Sequence, residues 1–384
     1  MIQDKYFDNN ATTRLIPEVK KAIDDFFAMQ VGNPSSPHSY GTKAAELILT
    51  AKEIISDFFH CDTDDVLYTS CASESNTMVL QSVCSWKSEN SIVVTTPVEH
   101  SSVKKNCEIL AEAGIQIVEI PVYHDGLIDV EKLAKVLKQS KVSLVSIGWV
   151  NNETGVIQPI REVSSLCREY QTPLHVDASQ AVGRIDINLD DIVIDYLVFT
   201  GHKLHAPKGI GGLISKNLKM LKPVIWGGEQ QNRLRAGTEN LLGIHALGAA
   251  LDARKRSMKE IQKQLTTLRD MFESSLLARI PEAYINGAID RRVCNTSNIC
   301  FGPIDGRAIV AQLDNAGVIC SQTSACTSQI PEPSPTLLSM GLSEENAFGS
   351  IRVSFGVDNT IEEVEDAIPL FDEVITRIKK FMTV

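Results

Sequence analysis

Apolar and polar positions alternate along this chain in two distinct periods. From about residue 45 to 255, short apolar runs rich in β-branched residues recur: "DVLYT", "SIVVTT", "IQIVEI", "VSLVSIG", "PLHVD", "YLVFT" and "GGLIS". Their lengths and composition predict strands. Between them lie stretches with apolar residues at helical spacing, such as "IREVSSLCREY". Strand–helix alternation of this kind predicts an α/β domain with a mostly parallel central sheet, and ligands at the carboxyl ends of its strands. Beyond it, "NLLGIHALGAALDARKRSMKEIQKQLTTLRDMFESSLLARI" reads as one or two amphipathic helices, followed by strand-like "VCNTSNICF" and "SIRVSFG". These predict a smaller α+β domain. The expected division is a large domain over 15–257 and a small one made of 1–14 and 258–384.

Composition narrows the function classes. The chain has 384 residues, too many for one ordinary core. A net charge of −11 without a basic tract argues against direct nucleic-acid contact or a membrane surface. No apolar run is long enough to span a bilayer, and "MIQDKYFDNN" does not read as a secretory signal, so a cytoplasmic location is expected. The nine cysteines are Cys61, Cys71, Cys84, Cys107, Cys167, Cys294, Cys300, Cys320 and Cys326. They form no C-x-x-C pair, so free thiols are expected and no metal site.

The candidate chemistry follows the strands. After "DVLYT" comes the small, hydroxylated turn "SCASESN", which opens a helix and suits an anion because helix N-terminal amides are unpaired. Capping by Ser73 or Ser75 is the ordinary alternative. His100 follows "SIVVTT", and Asn151 and Asn152 follow "VSLVSIGWV". Asp177 ends the apolar strand "PLHVD", where a carboxylate is costly unless donors or a cation compensate it. Thr200, Gly201, His202 and Lys203 follow "YLVF"; an apolar approach and a Gly-rich strand beyond argue for a buried lysine, its pKa lowered and its amine fit for a Schiff base. A lysine for an imine, an aspartate for a pyridinium nitrogen, a histidine for a ring face and hydroxyls for a phosphate are the requirements of pyridoxal 5′-phosphate.

The ordered motifs "DNNATT" (8–13), "GNPSSPHSYG" (32–41), "VNNETGVIQP" (150–159), "HVDASQAVG" (175–183), "TGHKLHAPKGIGGL" (200–213), "RAGTEN" (235–240), "SACTS" (324–328) and "IRVSFG" (351–356) resemble cysteine desulfurases of the NifS/IscS-like group. These are class V, fold-type I pyridoxal-phosphate-dependent enzymes, and the resemblance runs almost end to end. It implies that Lys203 carries the cofactor, Asp177 pairs with the pyridine nitrogen, His100 stacks on the ring and Gln180 reaches the ring oxygen. Ala72, Ser73, Thr200 and His202 are implied to hold the phosphate, with Thr238 reaching across from the second subunit of a homodimer. Asn152 and Arg352 are implied to bind the substrate carboxylate, and a guanidinium fork suits that task.

Cys326, on a loop at about 320–335, is then the implied sulfur acceptor. L-Cysteine becomes L-alanine, and the persulfide passes to an acceptor protein such as an iron–sulfur cluster scaffold, or onward to tRNA thiolation. A selenocysteine lyase or a class V aminotransferase is the alternative. Some positions depart from the family pattern. Thr323, after Cys320 and Gln322, stands where a glycine is usual before "SAC"; Ser73 replaces a threonine; Gln231 replaces an acid. The chain ends at "KKFMTV" without the longer tail that some relatives use for docking. Cys320 is expected to be structural.

Overall fold

The computed structural model describes residues 4–86, 91–322 and 332–382. Strands are β1 Lys5–Tyr6, β2 Val66–Thr69, β3 Ile92–Thr95, β4 Gln116–Glu119, β5 Leu144–Gly148, β6 Leu174–Asp177, β7 Tyr196–Thr200, β8 Gly211–Ile214, β9 Tyr284–Ile285, β10 Thr296–Cys300, β11 Val318–Ile319, β12 Ser321–Gln322 and β13 Ser350–Ser354. Helices are α1 Pro17–Ala28, α2 Ser39–Phe59, α3 Ala72–Trp86, α4 Ser101–Glu112, α5 Val130–Gln139, α6 Ile160–Glu169, α7 Leu241–Arg279, α8 Gly306–Asn315, α9 Pro335–Ser339, α10 Glu344–Phe348 and α11 Ile361–Met382.

All seven apolar runs read as strands join one sheet, in the order β2-β8-β7-β6-β5-β3-β4. Only β8 runs antiparallel to its neighbours β2 and β7. The other pairings are parallel, so those strands end at the same edge. Successive side chains point to opposite faces, and each face has its own cover. Val94, Leu197 and Phe199 enter one apolar cluster with Ile55 of α2 and Leu247 of α7. Val93 and Val198 enter the other with Leu80 of α3 and Val103 of α4. Burial on both faces explains why the runs inside the sheet are continuously apolar rather than alternating; the edge strand β4 exposes Gln116 and Glu119. Gly212 on β8 is required by close packing: a Cβ there would lie 2.4 Å from Cζ of Phe199.

A second, antiparallel sheet has the order β12-β13-β10-β9. Its core gathers Phe7, Phe272, Phe355 and Phe371 with Ile351 and Val353. Helix α7 reaches both cores and bends at Ser257, whose φ is −125° and ψ 17°. The Ser257 hydroxyl donates to the carbonyl of Ala253 at 2.9 Å, a back-bond of the kind that bends helices. The N-terminal segment ties the sheets together. β1 pairs parallel with β11, Asp8 bridges to Ser354, and Thr13 N–H donates to the carbonyl of His202. Among the described residues no helix is long and apolar enough to cross a membrane.

Candidate active site

The carboxyl edge of the large sheet brings the strand-end residues together. Thr69 and Thr200 flank Gly211, and Asp177 is in register with Gly148 and Val198. Asp177 is 8 % exposed. Its Oδ2 accepts from Asn76 Nδ2 at 2.7 Å and its Oδ1 from Ser179 N at 2.9 Å. The Asn76 side-chain oxygen lies 3.1 Å from His175 Nε2, and His175 Nδ1 lies 2.8 Å from Ser146 Oγ. Burial pushes His175 down to about 4, against the opposing pull of Asp177.

His100 caps α4, with φ −63° and ψ 150°. Its Nδ1 accepts from Ser102 N at 3.1 Å and lies 2.8 Å from Ser102 Oγ. That hydroxyl oxygen also accepts from Asn76 Nδ2 at 2.9 Å. The ring keeps an exposed face, yet the protein around it is the main force lowering its pKa. Asp177 opposes that shift and the Lys203 charge adds to it.

Lys203 ends the tight turn Gly201–Lys203 that follows β7. It is half-buried rather than fully buried. Its ammonium donates to the carbonyls of Asn10 and Ala11, the latter at 2.8 Å. Gln180 Nε2 also donates to the Asn10 carbonyl, at 3.0 Å. Asn10 Nδ2 reaches the Asn152 carbonyl and Thr296 Oγ1, so this one residue links both sheets to Lys203. Arg352, on β13, donates from Nη2 to Asp8 Oδ1 at 2.7 Å and from Nη1 to the Asn152 carbonyl at 3.0 Å. The Arg352 and Asp8 side chains are 8 % and 15 % exposed. His202 Nδ1 lies 3.3 Å from Thr12 Oγ1, and burial followed by the Lys203 and Lys208 charges holds its pKa at about 4.

Several polar atoms at this edge are buried without a hydrogen-bond partner among the described residues: Thr200 Oγ1, Ser179 Oγ, Gln180 Oε1 and Arg352 Nε. Ala72 and Ser73 form the first turn of α3, with Ser73 exposed. Neither candidate serine cap makes a side-chain bond to the first helical amides; instead Glu74 reaches back to accept from Ser70 N at 2.9 Å. Thr238 stands exposed ahead of α7 and makes no described hydrogen bond to the cluster. Cys326, together with Thr323, lies outside the described residues.

The described residues on either side of that stretch end at the same cluster. Ser321 is in register with Arg352. Ser334 caps α9 and donates its hydroxyl to Glu153 Oε2. Burial raises the Glu153 pKa. Cys320 is buried, and burial, then Asp8, pushes its thiol well above the ordinary range. A packing role fits it.

Sequence reasoning gave no role to Asn10, Asn76, Ser102, His175 or Asp8. For His175 a signal existed: it stands two positions before Asp177 on a strand, so both side chains share a face. Asn10 reaches Lys203 through its backbone carbonyl, which no side-chain pattern announces.

The class V aminotransferase family model matches residues 5–366. The chain is 37 % identical to cysteine desulfurase NifS of Azotobacter vinelandii, over 98 % of this chain and 94 % of that one. It is 36 % identical to cysteine desulfurase IscS of Dictyoglomus turgidum, over 99 % and 96 %. A solved NifS-like protein superposes with a TM-score of 0.91 at 31 % identity, covering 98 % of this chain and 100 % of that one. With a lysine, an aspartate and a histidine gathered at one sheet edge and this likeness along its whole length, the chain belongs to the class V aminotransferase family, in its NifS/IscS-like cysteine desulfurase group.

Proposed function

We propose that the protein is a pyridoxal-phosphate-dependent cysteine desulfurase that converts L-cysteine to L-alanine and receives the sulfur on Cys326. The observation that carries this reading is the meeting of Lys203, Asp177, His100 and Arg352 at one place, on a chain whose full-length relatives are cysteine desulfurases. The residues fit the cofactor. Buried polar atoms of a native fold are almost always paired. The unpartnered Thr200 Oγ1, Ser179 Oγ and Gln180 Oε1 therefore mark room for a polar group that the described residues do not supply. Lys203 would hold the cofactor through a Schiff base and Asp177 would face its pyridine nitrogen. Thr200, His202, Ser73 and Ala72 would hold the phosphate, with Thr238 of a second copy in a homodimer. Bound there, pyridoxal phosphate supplies the electron sink that labilises the bonds at the α-carbon of an amino acid.

The chain's own residues do the rest. Arg352 binds the substrate carboxylate with its guanidinium fork, aided by Asn152. Lys203 Nζ takes the Cα proton. Asp177, its carboxyl group held by Asn76 and the Ser179 amide, would face the ring nitrogen. Cys326 Sγ takes the sulfur: the Cβ–S bond of L-cysteine breaks, an S–S bond forms, and L-cysteine plus the Cys326 thiol give L-alanine plus the Cys326 persulfide. A sulfur-acceptor protein such as an iron–sulfur cluster scaffold then removes it; tRNA thiolation is another destination of the same chemistry. The eight described cysteines form no disulfide, which fits a cytoplasmic setting for this reading.

The test is Cys326→Ala. It should keep the yellow cofactor, with an absorbance that borohydride shifts and that Lys203→Ala abolishes, but it should form no protein persulfide from L-cysteine. Undiminished turnover by Cys326→Ala would overturn the reading.

A further inference from the structure

The hydrogen bonds around His100 run in one direction only. The Ser102 backbone N–H is a fixed donor, and it points at His100 Nδ1 from 3.1 Å. The Ser102 hydroxyl oxygen already accepts a proton from Asn76 Nδ2, an amide nitrogen that can only donate, at 2.9 Å. The hydroxyl's own proton is thereby free for His100 Nδ1 at 2.8 Å. Asn76 is itself fixed end for end. Its NH2 also donates to the Asp177 carboxylate at 2.7 Å, and its oxygen therefore faces His175 Nε2 at 3.1 Å. Two donors converge on Nδ1 of His100, and a neutral imidazole so held carries its proton on Nε2.

We infer that Asn76 and Ser102 are positioning residues that lock His100 as the neutral Nε2–H tautomer and tie that tautomer to Asp177 through a single amide. His100 then presents the proton on Nε2 to the ligand. To accept a proton it would have to surrender both bonds to Nδ1. His100 also sits at the N-terminus of α4, where the helix dipole opposes a positive charge. A neutral histidine polarising its ligand from a helix N-terminus is a known catalytic device. Lys203 is left as the amine that moves the proton. The facing titratable and charged groups are Asp177 from β6 and Lys203 from the turn after β7, and they act in opposite senses.

This inference deepens the reading of the site as a desulfurase centre, but its main test does not depend on turnover. In protein carrying 15N-histidine, with and without cofactor, His100 should give a protonated Nε2 and an unprotonated Nδ1. That pattern should persist across the range where free histidine titrates, near a pKa of about 6.5. Ser102→Ala removes one of the two Nδ1 donors and Asn76→Ala lets the Ser102 hydroxyl reverse, so each should raise the imidazole pKa, while the Ser102 backbone N–H, which both variants keep, holds Nε2–H as the major tautomer; Ser102→Thr should keep the wild-type pKa. A protonated Nδ1 in the wild type, or an imidazole pKa indifferent to both substitutions, would overturn the inference while leaving desulfurase activity untouched.

Discussion

The two sides of the Lys203 site differ in how complete their hydrogen bonding is. Beneath Asp177 and His100, Asn76, Ser102, His175 and Ser146 form one continuous chain of bonds. Around Thr200, Ser179, Gln180 and Arg352, four buried polar atoms have no partner among the described residues. Leaving a buried polar atom unpaired costs about 1–3 kcal/mol. Three of these atoms, on Thr200, Ser179 and Gln180, lie at the carboxyl edge of the large sheet, and the fourth belongs to Arg352 of β13. The paired side is built to hold fixed groups in one orientation, and the unpaired side to receive something from outside.

The contrast can be broken by substitution. Asp8→Ala should have the largest effect on stability, about 3 kcal/mol by urea denaturation, because Arg352 loses the carboxylate on Nη2 while its Nε is already unpaired. The same variant should raise KM for the substrate, since the guanidinium is no longer held in place. Asn76→Leu should cost the cofactor-free protein about 2 kcal/mol by stranding Asp177 Oδ2 and His175 Nε2.

Glu99 sharpens the same comparison through pH. Burial holds its pKa at about 7 against 4.5 when free, although Thr96 and the Gly148 amide both donate to it. The folded chain therefore keeps a proton that the unfolded chain releases. Its contribution is fully present below about pH 4.5 and is lost as pH rises through 7. Glu99→Gln should flatten that dependence, a change of about 3 kcal/mol across the window in denaturation curves.

Thr200→Val should act the opposite way from Asn76→Leu. Replacing an unpaired buried hydroxyl by a methyl should leave the cofactor-free protein within about 0.5 kcal/mol of wild type, or more stable. It should weaken cofactor affinity about tenfold, read by titrating pyridoxal phosphate absorbance. Asp25→Ala, which removes the exposed Lys21–Asp25 pair, should change stability by less than about 0.5 kcal/mol and serves as the baseline.

Much of this was legible in the chain. Each of the seven quoted apolar runs is a strand of the large sheet, and in all but the edge strand β4 burial of most positions leaves no polar alternation to confuse the pattern. Asp177, Lys203 and Thr200 follow from lying at strand ends, where side chains leave the core and meet ligands. The supporting groups were not legible. Asn76 lies on a helix 101 residues from Asp177 and its partnership depends on how α3 packs against β6. Asn10 acts partly through a backbone oxygen. The pairing of Arg352 with Asp8 joins the two ends of the chain, a contact of the assembled fold that local pattern does not encode.

The central claim is that the sulfur of L-cysteine comes to rest on Cys326. One equivalent of L-cysteine, given to the cofactor-loaded protein without reductant, should yield alanine and an equal amount of protein carrying one added sulfur atom. Peptide mass spectrometry should assign that atom to Cys326. Alanine formed with the sulfur on another cysteine, or with none on the protein, would contradict the account.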